Sequence, residues 1–247
     1  TNYSSGNTFA MGSSNVTLYA QWTQNPYSVT YNGNTSTGGT APTDATVYHY
    51  GDTATVLGNT GALVKTGYTF AGWNTAANGS GTSYTGGDTF AIGLSDVTLY
   101  AQWTAVDYSV TYNGNTSTGG AVPTDGNTYH ITDTVTVLGN TGTLVKTGYT
   151  FAGWNTAANG SGTNYSSGNT FAMGSSNVTL YAQWTENTYS VTYNGNSNTG
   201  GAVPTDATSY HNGDTATVLG NTGSLVRTGY TFAGWNTAAN GSGTSYA

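Results

Sequence analysis

Residues Thr66–Thr82 read TGYTFAGWNTAANGSGT. Tyr68 and Phe70 alternate with Thr69 and Ala71 and lead into Trp73, the pattern of a half-buried strand. Asn78-Gly79-Ser80-Gly81 then supplies residues that tolerate the backbone of a turn. The same string begins again at Thr147 and Thr228, 81 residues apart each time. On its flanks VTLYAQWT begins at Val16, Val97 and Val178, and YSVTYNGN at Tyr27, Tyr108 and Tyr189, with the same spacing. A fixed period of this length, free of insertions and deletions, marks tandem structural units. The chain therefore reads as an all-β or β-rich array of small modules with little or no helix.

With YSVTY as the start of a unit, residues 27–107 and 108–188 are complete modules. Residues 1–26 are the C-terminal part of one and 189–247 the N-terminal part of another. Within 27–107, Tyr27, Val29 and Tyr31 predict one face of a first strand, and Thr53–Leu57 a second. In Tyr68–Trp73, strict alternation puts Tyr68 and Phe70 on one face and Trp73 on the other. Short strands are expected at Thr82–Tyr84 and Thr89–Ile92. In the last strand Val97, Leu99, Ala101 and Trp103 face one way. The segment Asp44–His49 has room for one helical turn at most. The expected core aromatics are Tyr68, Phe70, Trp73 and Trp103, repeated as Tyr149, Phe151, Trp154 and Trp184.

Composition narrows the function. Charged residues make up 5% of the chain, against about 25% in an ordinary soluble domain. Yet 13% of residues are aromatic, and disordered chains lack aromatics. Three basic against ten acidic residues give a net charge of −7, a surface that repels phosphate backbones and disfavours nucleic acid. No stretch of this segment approaches the ~20 apolar residues that span a bilayer. With no cysteine there is neither a disulfide nor a thiolate metal site. Few cations and abundant Thr and Asn point to the outside of a cell. The chain starts at Thr1 without Met, so any targeting segment is expected to lie outside it.

The search for chemistry returns no catalytic or metal-binding set. Each module has one His, at His49, His130 and His211, and a zinc site takes three or four ligands. Asp44 and Asp52 recur in phase, which leaves room for a weak Ca²⁺ site, but turn formation is the better account of most acidic positions. Lys65, Lys146 and Arg227 share one phase and are expected to pair with a module Asp. The tryptophans are assigned to the core rather than to a sugar-stacking platform. The stretch 47–51 varies most between modules and is read as an exposed loop. Tyr48, His49, Tyr50, His130, Ile131 and His211 are its candidate adhesive residues, with Tyr84 as a further exposed aromatic. Sequons such as Asn78-Gly79-Ser80 suit glycosylation at a surface.

The order of VTY, a Gly-rich loop, GYTFAGWNTAANGSGT and LYAQW, beginning at Gly67, Gly148 and Gly229 and at Leu18, Leu99 and Leu180, resembles the Listeria–Bacteroides repeat of microbial surface proteins. The resemblance implies a small module related to the β-grasp fold, in tandem, with a stalk or adhesion role and no shared enzymatic activity. Two functions follow as expectations: a structural stalk, filament or sheath component, and a multivalent adhesin binding glycans or a host surface. The partners expected are adjoining repeats or other copies of the chain. Thr1 and Thr244 fall at one phase. The segment is then a window of a longer array, or Val16, Leu18, Ala20 and Trp22 form an inter-subunit strand that completes the module begun at 189.

Overall fold

Backbone pairing, not local propensity, builds the modules. The computed structural model describes residues 1–247, which form two compact units, Thr1–Val106 and Asp107–Ala247. There is no helix. In the first unit the strands are β1 (Val29–Asn32), β2 (Thr53–Thr55), β3 (Tyr68–Asn74), β4 (Ser83–Tyr84), β5 (Thr89–Ala91) and β6 (Val97–Ala105). β6 is central: it pairs parallel with β1 and antiparallel with β3, giving the order β1-β6-β3-β4. Its Leu99 and Ala101 are fully buried, and burying a leucine contributes about 1.5–3 kcal/mol. β2 and β5 form a separate two-stranded ribbon. Ala54, Val56 and Ile92 from the ribbon region share one core with Val29, Leu63, Trp73 and Leu99. The first strand of the module thus lies parallel to the last. Where a helical turn was allowed for, Asp44 instead caps a turn, its Oδ1 accepting from the Thr46 N–H at 2.9 Å.

One face assignment is corrected. Pairing of β3 with β6 shifts register between Phe70 and Gly72, a β-bulge. An extra residue moves later side chains to the opposite face, so Phe70 and Trp73 both point into the core with ring centroids 5.2 Å apart. Gly72 adopts φ +129°, and a Cβ there would lie 2.8 Å from the Tyr84 carbonyl oxygen. Tyr68 and Tyr149 are also corrected: both stay outside the core clusters, half-buried beneath a cation. Phe70 and Trp103, like Phe151 and Trp184, pack partly buried at its margin, while Trp73 and Trp154 are enclosed.

The second unit repeats this plan in β7 (Val110–Asn113), β8 (Thr134–Thr136), β9 (Tyr149–Asn155), β10 (Asn164–Tyr165), β11 (Thr170–Ala172) and β12 (Val178–Glu186). Met173 takes the place of Ile92 in its core. After β12, residues 189–247 of the same unit keep the bridges Tyr189–Tyr210, Gly200–Val226 and Arg227–Tyr230 and one short pair, β13 (Trp235–Asn236) with β14 (Ser245–Tyr246). Val191–Asn194 and Tyr230–Gly234, the counterparts of β1 and most of β3, have no strand between them. Residues 16–22, which match β6 residue for residue, form no strand within this chain. β6 is held by partners on both edges, and 16–22 has neither.

Candidate functional site

The variable loop is only partly a surface. Tyr48, expected to be exposed, is 7% accessible. It exchanges backbone hydrogen bonds with Tyr27 at 2.8 and 2.9 Å, and its hydroxyl donates to Asp44 Oδ2 at 2.9 Å. Pairing with the start of the module pulls this aromatic inward. Tyr84 is corrected in the same way, half-buried against Phe90 with centroids 5.2 Å apart. Tyr50 is 68% exposed, whereas the counterpart Ile131 is half-buried and the third counterpart is Asn212. The loop thus offers no shared side chain at its tip.

Each His stands beside carboxylates. His49 Nδ1 lies 3.6 Å from Asp52. His130 lies between Asp133 at 3.5 Å and Asp107 at 3.1 Å, and His211 between Asp214 at 3.5 Å and Glu186 at 3.9 Å. Asp52, Asp133 and Asp214 also accept from the backbone N–H of their His at 2.6–2.7 Å, which fixes a tight turn. No group of three or more His, Asp or Glu has metal-binding geometry. Burial pushes the Asp44 carboxyl up, but the backbone and side chain of Thr46 and the Tyr48 hydroxyl outweigh it and hold the group below its ordinary value. Burial also raises Tyr31 and Tyr112, whose hydroxyl oxygens accept from the N–H of Leu57 and Leu138 at 2.7 and 2.8 Å.

The expected ion pair of Lys65 with an Asp does not form. Its Nζ sits 4.3 Å from the centroid of the Tyr68 ring, as do Lys146 Nζ over Tyr149 and Arg227 Cζ over Tyr230. A cation over a ring face is worth about 0.5–1 kcal/mol at an exposed site. Both Lys and Arg serve there, which accounts for their exchange at this phase.

The tryptophans act as fasteners. Trp73 Nε1 donates to the Leu57 carbonyl at 2.9 Å. Trp103 Nε1 donates to the carbonyls of Gly33 and Asn34 at 3.2 and 3.1 Å, tying the end of β6 to the loop after β1. From the same loop, Asn34 Nδ2 donates to the carbonyls of Ala77 and Ala101, each at 2.8 Å. The buried Asn74 gathers the next turn, donating to Gly79 and Gly81 and accepting from the N–H groups of Ala76 and Gly81. Neither asparagine stands out in the hydrophobic pattern of the sequence. The available signal was their constancy in phase, since other Asn positions alternate with Asp, as Asn7 and Asn169 do with Asp88.

An open groove of about 910 Å³ lies in residues 189–247. Val191, Tyr193, Phe232 and Trp235 line it. The surface it opens is the one that β6 and β12 cover in the complete modules. At the other end of the sequence the candidate strand is bare: Val16 and Leu18 are exposed, as is Ala20, and Trp22 is 91% accessible.

Comparison with known proteins agrees with the landmarks just described. The profile of the Listeria-Bacteroides repeat domain matches residues 27–102, 108–183 and 189–247. The chain belongs to this repeat family.

Among curated relatives, a "Gly-rich membrane protein" of Evansella cellulosilytica is 39% identical over 69% of the chain and 20% of its own length. Internalin H of Listeria monocytogenes is 38% identical over 51% of the chain and 21% of its own length. The chain spans about a fifth of the length of these relatives. No solved structure matches it. Repeats of this family occur in surface proteins such as internalins, and no helix here is long and apolar enough to cross a membrane. Across the Listeria-Bacteroides repeats of this chain, Trp73, Asn74 and Trp103 keep their identity wherever their phase recurs. The loop that varies is the one at the rim.

Proposed function

We propose that the chain is an extracellular structural segment that extends or assembles as a stalk, filament or sheath on a microbial surface. One observation carries this reading: each complete module rebuilds the same core, with Trp73 and Trp154, Leu99 and Leu180, and Ala101 and Ala182 in equivalent buried places and only Ala54/Val135 and Ile92/Met173 exchanged among its buried apolar positions. Repetition of a core serves spacing, because no module has to differ from its neighbour. A multivalent adhesin would instead repeat an exposed contact residue to gain avidity. The rim position held by Tyr50, Ile131 and Asn212 repeats none. Weak Ca²⁺ binding and glycan contacts are thus secondary to the structural role, and neighbouring repeats or further copies are its principal partners. The test is electron microscopy of the purified chain and of antibody-labelled cell surfaces. Regular rods or filaments are the expected outcome; saturable glycan binding by dispersed chains would overturn the reading.

A further inference from the structure

We infer that the invariant His of the variable rim loop is the docking point for the linker leaving the preceding module, so that successive modules are joined by a clamped rather than a slack connection; this deepens the structural reading above and rests on it. The loop changes at its tip but keeps one frame. His49 and Asp52 recur as His130 and Asp133 and as His211 and Asp214, whatever stands between them. Burial does not account for that constancy. The side chains of His130 and Asp133 are 46% and 47% exposed, and neither belongs to the core of its module.

The frame holds the ring for a partner outside the loop. Asp133 accepts from the His130 N–H at 2.7 Å and lies 3.5 Å from Nδ1. The other ring nitrogen, Nε2, lies 3.1 Å from Oδ1 of Asp107, the last residue of the module before. Its neighbour Val106 is held from the opposite side, where its N–H donates to the carbonyl of Gly67, just ahead of β3, at 2.9 Å. Consecutive residues are thus fixed to different modules. A single peptide unit separates the two held points.

The linker at the end of the second complete module reaches the same result with different residues. Ala105-Val106-Asp107 is replaced there by Glu186-Asn187-Thr188, so the carboxylate has moved two positions and has not been lost. The Asn187 N–H donates to the Gly148 carbonyl at 2.8 Å, and its Oδ1 accepts from the Thr150 hydroxyl at 2.6 Å. Glu186 accepts from the Tyr149 hydroxyl at 3.0 Å and lies 3.9 Å from His211 Nε2. Elsewhere in the modules acids give way to amides, Asp88 to Asn169 and Asp96 to Asn177. Both linkers instead keep one carboxylate in reach of the next His. A carboxylate makes the stronger, charge-assisted bond to an imidazole.

Asp107 is 74% exposed, so its replacement should spare the modules and fall on the joint alone. An exposed pair adds little to global stability, and the measurement is therefore of local opening, by amide hydrogen exchange resolved by NMR in the 247-residue chain. The Tyr108 N–H donates to the Tyr129 carbonyl at 2.8 Å, next to the clamp. It is expected to exchange about two- to fivefold faster in D107T and in H130A, with β6 and β12 unchanged. H49A, the same change at a His whose carboxylate partner is Asp52 of its own loop, is expected to leave Tyr108 as it is. Transplanting the other linker, A105E/V106N/D107T, is expected to restore the wild-type rate. Tyr108 exchange that is unchanged in D107T overturns the proposal, as does equal acceleration in H49A or a transplant no better than D107T. Acceleration in H130A but not in D107T also overturns it, because the His then serves only its own loop. A chain with slack linkers can still be a stalk, so failure here leaves the structural reading to electron microscopy.

Discussion

Asn34 has φ +46° and Thr35 φ +67°, two successive non-glycine residues in the left-handed region, and the same pair recurs at Asn115–Thr116 and Asn196–Ser197. Such backbone costs roughly 1–2 kcal/mol per residue. It is retained because the turn presents the Asn34 side chain to two carbonyls and its own carbonyl to Trp103. Replacing Asn34 by Ala removes both amide bonds and keeps the strain. A loss of about 1–3 kcal/mol is expected for the Thr1–Val106 unit by urea unfolding, with N34G recovering only the backbone part. Asp44 makes a second residue-level prediction. Its folded pKa is lowered, so its contribution is complete above the unfolded value of 3.8 and is lost as pH falls through the lower folded value. The melting temperature should hold steady down to that range and drop below it, with a shallower drop in D44N. Sequence patterning did not reveal either role, because polar loop residues look alike until the carbonyls they serve are placed.

At the scale of elements, period-two alternation located β1, β3 and β6 closely. It put Trp73 on the wrong face because a bulge is a property of backbone pairing, hinted at only by a glycine inside a strand pattern. Gly72→Ala brings a Cβ to 2.8 Å from the Tyr84 oxygen at a φ of +129°. The expected cost is about 1–3 kcal/mol, against about 0.5–1 kcal/mol for the neighbouring Ala71→Gly control, both read as shifts in the urea midpoint at constant m. Variability misled in the opposite direction at Tyr48: the loop changes between modules, but its bridge to Tyr27 buries this ring. The unpaired state of residues 16–22 teaches the same lesson, since one sequence is a strand in β6 and β12 and extended, exposed chain elsewhere. Partners decide it.

For the molecule, the repeat made the architecture legible before any residue was understood, and its phase alone matched residues 16–22 to β6 and β12, while the pairing order within a module emerged only in three dimensions. The parallel pairing of β1 with β6 has a last consequence, and it is mechanical. Because Val29 lies beside Val97 and Asn32 beside Tyr100, the chain enters each module at one end of this pair and leaves beyond the other. Tension on a tethered array therefore slides the two strands along one another and loads their cross-strand bonds together, rather than opening them one after another like a zip. A module pulled from both ends would be held by this shear-loaded pair, with Asn34 and Trp103 pinning its exit.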